Sequence, residues 1–137
     1  MNERIKGKIK DIKTYLEQLS KIKTNNFEEY EKDFKTKAAC ERYFEKIVEA
    51  VIDLAQLVIK FKKFSYPEED TQAFEILLKN KIIQKELCEK LKNGKGKRNI
   101  LAHEYGQVDD ELVFEAITQE IMIDSEEFIE SVKKKVL

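Results

Sequence analysis

The chain has 137 residues, 39% of them charged and 42% hydrophobic, with four Gly, one Pro and no Trp, which fits one soluble helical domain whose core needs no disulfide or metal. A net charge of −1 excludes a global field that gathers nucleic acid, so any RNA or DNA contact has to come from a local patch. No stretch approaches the roughly 18 consecutive apolar residues of a membrane span, and no apolar run follows Met1-Asn2-Glu3-Arg4, so a cytoplasmic protein without a signal peptide is expected.

Period-two strand patterns do not recur, and the expectation is all-α. Ile5, Ile9, Ile12, Leu16, Leu19 and Ile22 step by three and four, predicting an amphipathic first helix over 3–23. Thr24-Asn25-Asn26 breaks it, and Asn26 is a suitable N-cap for a helix opening with Phe27, Glu28 and Glu29. From Phe27 to about Lys63 nothing stops a helix. Phe27, Tyr30 and Phe34 give a sparse apolar face, and Ile47 to Phe61 is apolar around most of the wheel, predicting a central helix. Arg42, Glu49 and Asp53 form a polar stripe on it. That stripe is either solvated and internally paired, or lies beside a functional site.

Pro67 marks a turn, after which Asp70 or Thr71 can cap a short helix to Asn80 with Phe74, Leu77 and Leu78 inward. The next helix begins near Gln84 and runs through Leu87, Cys88 and Leu91 to Ile100 and Leu101. Gly94 and Gly96 fall inside it. Each costs about 1 kcal/mol against Ala, so the helix kinks there or its backbone is closely approached. Lys90, Lys92, Lys95, Lys97 and Arg98 crowd the same stretch, as a solvated face or a basic approach for a polyanion. The last helix spans about Asp110 to Val136, with Leu112, Val113, Ala116, Ile117, Ile121, Ile123, Phe128, Ile129 and Val132 on its buried side and acids and lysines matched to its ends. Cys40 and Cys88 lack metal or disulfide spacing and are expected as reduced core or boundary residues. Residues 1–137 thus form a single domain.

The stretch that carries chemistry is Lys97-Arg98-Asn99-Ile100-Leu101-Ala102-His103-Glu104-Tyr105. It holds the chain's sole His and one of three Arg, the others being Arg4 and Arg42. Arg presents a planar fork suited to phosphate, and His exchanges a proton near neutral pH. Together they are the minimum for making or breaking a phosphodiester. On a helix Asn99 and His103 share a face, whereas Arg98 lies about 140° from His103 and meets it only through its length. Gly106 favours a helix end near Tyr105. A lone His is more often an ordinary residue than a catalyst, and an Arg-x4-His pair alone recurs by chance.

Taken with its surroundings, Arg98-Asn99-x-x-x-His103-x-Tyr105 resembles the R-x4-H-x-Y signature of the HepT-like HEPN-domain family, toxins of MNT-HEPN toxin–antitoxin modules. Met1-Asn2-Glu3-Arg4-Ile5, Tyr15-Leu16, Glu41-Arg42, Glu49-x-x-Ile52-Asp53 and Pro67 before the Phe74 helix extend the likeness over nearly the whole chain. The resemblance implies an antiparallel bundle of about five helices working as a homodimer. It implies a metal-independent endoribonuclease, with the paired motifs of two protomers facing one cleft. It also implies a partner nucleotidyltransferase antitoxin that places AMP on the signature tyrosine, here Tyr105. On that reading Arg98, His103 and Asn99 are catalytic, Arg42, Glu49, Asp53 and Lys97 support them, no cofactor is needed, and the product is a 2′,3′-cyclic phosphate. The competing reading is a non-catalytic helical partner of a nucleotidyltransferase that binds nucleotide or RNA without turnover.

Overall fold

The computed structural model describes residues 2–103 and 110–137, and the side chains of these apart from Ile100, Ala102 and His103. Among the described residues the secondary structure is helical throughout: α1 (Glu3–Ile22), α2 (Phe27–Lys32), α3 (Phe34–Lys62), α4 (Asp70–Lys79), α5 (Lys85–His103), α6 (Asp110–Glu115), a π-helical turn (Ala116–Glu120) and α7 (Ile121–Val136). None of these helices is long and apolar enough to cross a membrane.

Each boundary has a local cause. Asn2 caps α1 by accepting from the Arg4 and Ile5 amides at 2.9 and 3.3 Å, and Asn26 caps α2 by accepting from the Glu29 amide at 2.8 Å. The single helix expected from Phe27 onward is interrupted. Asp33 ends α2 and starts α3, accepting from the Thr36 amide at 3.2 Å and its hydroxyl at 2.8 Å. These bonds hold the Asp33 carboxyl below its usual range and offer the backbone an alternative to continuing the helix. α3 ends at Lys62, ahead of Pro67, with Lys63 in the left-handed region (φ 60°) and the Phe64 amide returning to the Ile59 carbonyl at 3.0 Å. At the start of α4 Glu69, rather than Asp70 or Thr71, is the cap residue, and the Gln72 side chain accepts from the Glu68 and Glu69 amides.

α3 is the spine, in contact with α1, α2, α4, α5, the π-turn and α7. Lys8 of α1 pairs with Asp53 at 3.6 Å, and Lys46 lies over the Tyr15 ring at 4.7 Å. Moving forward along α1 therefore means moving back along α3, and the two are antiparallel. Pairing of Glu75 with Lys92 and of Asp70 with Lys95 makes α4 and α5 antiparallel in the same way. The core gathers Phe44, Ile47, Val51, Leu54 and Val58 of α3 with Ile5, Ile12, Phe74, Leu87, Ile117 and Phe128. Phe74 and Phe128 meet edge to face with centroids 6.1 Å apart. Cys40 and Cys88 are free and buried, and burial raises the Cys40 thiol to about 11.

The final helix departs from its expected regularity. The Thr118 hydroxyl donates to the Phe114 carbonyl at 2.7 Å, and Lys23 of the α1–α2 link donates to the Thr118 carbonyl at 3.0 Å. Both bonds compete with the regular ladder and coincide with the wider π-turn. Two residues expected inside are outside: Leu112 is 53% and Ile123 62% exposed. Each lies about 200° around the helix from a buried neighbour two residues away, Phe114 or Ile121. Phe34, at the first position of α3, is likewise exposed, and so in part is Phe61.

Candidate functional site

α5 consists of two unlike halves. Leu87, Cys88 and Leu91 are buried and anchor its first turns in the core. Beyond Leu91 no described side chain of α5 is fully buried, although Leu101 still packs in part against the core, and ion pairs add further ties. Lys92 reaches Glu75 of α4 at 2.8 Å, Lys95 reaches Asp70 at 3.7 Å, Lys97 reaches Glu120 of the π-turn at 2.8 Å, and Arg98 reaches Glu49 of α3. Glu75 holds the Lys92 ammonium above its usual pKa range. Close approach of another group does not account for Gly94 and Gly96 among the described residues, because a Cβ at either position would meet nothing within 4 Å.

The Arg98 guanidinium is the best-defined group of the motif. Its side chain is 23% exposed. Nη2 donates to Glu49 Oε1, Nη1 donates to Asn99 Oδ1 at 3.4 Å, and Nε is buried without a hydrogen-bond partner. Glu49 projects from a stretch of α3 fixed by the buried Val48, Ala50, Val51 and Ile52, so the core sets where Arg98 is held. Arg98 and Asn99 stand side by side on α5, and the His103 backbone lies on the same helix about 7.5 Å further along the axis at 1.5 Å per residue. The side chain of His103, and Tyr105 altogether, lie outside the described residues, as does the helix end expected near Tyr105.

Of the supporting residues, Glu49 touches the motif and the others have different partners. Arg42 pairs with Glu45 at 3.4 Å on the surface of α3, and Asp53 pairs with Lys8 of α1. Lys97 turns away from Glu49 toward Glu120. There it rims a cavity of about 350 Å³ floored by Phe44, Val48, Phe74 and Leu91. Asp124 lies at the same cavity, and burial raises its carboxyl pKa. The lysines expected as a basic approach are thus paired with acids: Lys90 with Glu86, and Lys92, Lys95 and Lys97 as above. Sequence reasoning missed Asp70, Glu75 and Glu120 as the residues that tie α5 down. They lie 17 to 25 positions from their lysines, and no spacing rule connects them.

The described residues are helical throughout, with Arg98 and His103 five residues apart on one helix, and comparison with known proteins shows which class of protein shares this arrangement. The ribonuclease HepT-like profile matches residues 12–132. The mRNA nuclease HepT of Shewanella oneidensis is 26% identical over 97% of this chain and 98% of its own. The tRNA nuclease HepT of Aphanizomenon flos-aquae is 30% identical over 83% of this chain and 78% of its own. Among solved structures, the tri-AMPylated Shewanella oneidensis HEPN toxin in complex with MNT antitoxin superposes with a TM-score of 0.90 at 25% identity, covering 98% of this chain and all of that one. The chain belongs to the ribonuclease HepT-like family.

Proposed function

We propose that Arg98 and His103 cut RNA by directing its own 2′-hydroxyl onto the neighbouring phosphorus. The chain is an endoribonuclease of the toxin–antitoxin kind, the role its family membership carries. One observation supports the choice of Arg98: a guanidinium beside the motif's Asn99, held from the core by Glu49, with N–H groups left over for a phosphate.

In this scheme O2′ attacks phosphorus and the P–O5′ bond breaks, leaving a 2′,3′-cyclic phosphate and a 5′-hydroxyl. The 2′-hydroxyl proton passes to a neutral imidazole, and a second, protonated imidazole gives its proton to O5′. One chain has one His, so two protomers supply the pair across a shared cleft. Arg98 neutralises the charge that develops on the non-bridging oxygens, and Asn99 orients the imidazole or the phosphate. Nothing in the scheme calls for a metal ion.

The partner is a nucleotidyltransferase antitoxin of the MNT type, as in the complex formed by the Shewanella oneidensis toxin. AMP on Tyr105 would add bulk and a negative phosphate that competes with RNA for Arg98. Both proteins would act in the cytoplasm. The test compares wild type with His103→Ala and Arg98→Ala on labelled RNA in the presence of a chelator. Loss of general acid–base catalysis is expected to slow cleavage about 10²–10⁴-fold, and loss of the phosphate holder about 10²–10³-fold. Equal cleavage by all three proteins would remove both residues from the chemistry.

A further inference from the structure

Four ion pairs hold the second half of α5, and one of them, Glu49 with Arg98, grips a residue of the R-x4-H motif. The two partners sit in unlike surroundings. Glu49 rises from a stretch of α3 whose neighbours Val48, Ala50, Val51 and Ile52 are all buried. Arg98 rises from a stretch with two glycines and no buried described side chain. A guanidinium on a long flexible stem is useful for phosphate only when its plane is fixed. Here the backbone beneath it supplies little of that fixing, and the acceptor on α3 supplies more.

The geometry points to Glu49 as the positioning residue for Arg98. Its carboxylate accepts one N–H from Nη2 and so sets the plane of the fork, leaving Nη1 to share between Asn99 and a phosphate oxygen. The bond, not the negative charge, is the useful element. A carboxylate beside a phosphate site repels the polyanion, so its removal does not weaken RNA binding. This rests on the reading of Arg98 as the phosphate-binding group.

Steady-state cleavage of a 5′-labelled, mixed-sequence single-stranded RNA tests it, with wild type, Glu49→Ala, Glu49→Gln and Arg98→Ala. A small misplacement of a catalytic group costs up to about 10²-fold, so Glu49→Ala is expected to lower kcat about 10–100-fold without raising KM. Glu49→Gln keeps an acceptor oxygen at the same reach and is expected to restore kcat to within about threefold of wild type, a rescue that loss of a purely structural ion pair would not give. Should Glu49→Ala fail to fold, Glu49→Leu keeps the bulk and accepts nothing, and is expected to lose kcat in the same way. The proposal is overturned if Glu49→Ala cleaves as fast as wild type or faster, or if Glu49→Gln is as slow as Glu49→Ala. Wild-type activity in Arg98→Ala would overturn the reading of the site and this proposal together, whereas slow Arg98→Ala beside normal Glu49→Ala would overturn this proposal alone.

Discussion

Glu41 shows how burial of a single residue sets a pH response. It lies half-buried on α3, where burial raises its carboxyl pKa above the usual range, Lys37 opposes the shift and Asp110 adds to it. A carboxyl with a raised folded-state pKa favours folding when protonated. Its contribution is fully present below the unfolded pKa and lost as the pH rises through the folded one. Glu41→Gln, which cannot ionise, is therefore expected to melt at a higher temperature than wild type at neutral pH, and the gap should close in acid as the wild-type carboxyl protonates. A lower melting temperature for Glu41→Gln at pH 7 would show that attraction to the Lys37 charge, rather than burial, decides the balance.

At the same scale, sequence and structure differ in instructive ways. Asn26 was legible as a cap because Asn in front of acids is a local signal, and it does cap α2. Asp33 was not legible, because the apolar pattern runs on past it. Only the bond from Asp33 to Thr36 reveals the break. Glu49 stood out as part of a polar stripe, but a stripe does not say which acid meets which base. Arg42 and Asp53 belong to the same stripe and have other partners, Glu45 and Lys8.

Among the elements, α5 is built differently from α1 and α3. Those two carry buried residues from Ile5 to Leu19 and from Cys40 to Ile59. α5 carries them in its first turns and relies on charge pairs afterwards. Its glycines add to this contrast: each costs helix stability and neither makes room for a neighbouring group. Gly94→Ala is accordingly expected to stabilise the fold by about 0.5–1 kcal/mol, read as a higher urea midpoint at unchanged slope. A lower midpoint would mean that the position needs a backbone conformation or an approach that Ala forbids. The start of α5 near Gln84 was legible from its period, and the end expected near Tyr105 lies outside the described residues. Its dependence on Asp70, Glu75 and Glu120 was not, because those contacts exist only after α4 and the π-turn have packed against it. The π-turn coincides with two hydrogen bonds, from Lys23 and from Thr118, and a continuous apolar pattern gives no hint of it.

For the molecule as a whole, the architecture puts Arg98 and Asn99 in the half of α5 tied by ion pairs, against a spine held by apolar packing. The all-α class, the order of the helices and the choice of α3 as the centre followed from periodicity, since a core of this size leaves few other ways to bury those faces. Where the imidazole of His103 stands relative to Arg98 follows from no sequence pattern, because a side chain's rotamer is set by what packs around it and not by spacing. The proposed chemistry, however, has a signature that needs no side-chain placement, which is the pair of ends left on the RNA. Mass spectrometry of fragments cut by the wild-type protein, from an RNA and from the same strand carrying a 2′-deoxy sugar at the cut position, reads those ends directly. The account predicts 2′,3′-cyclic phosphate and 5′-hydroxyl ends on the RNA and no cut at the deoxy position. Fragments ending in a 3′-hydroxyl, or cleavage at the deoxy sugar, would contradict it.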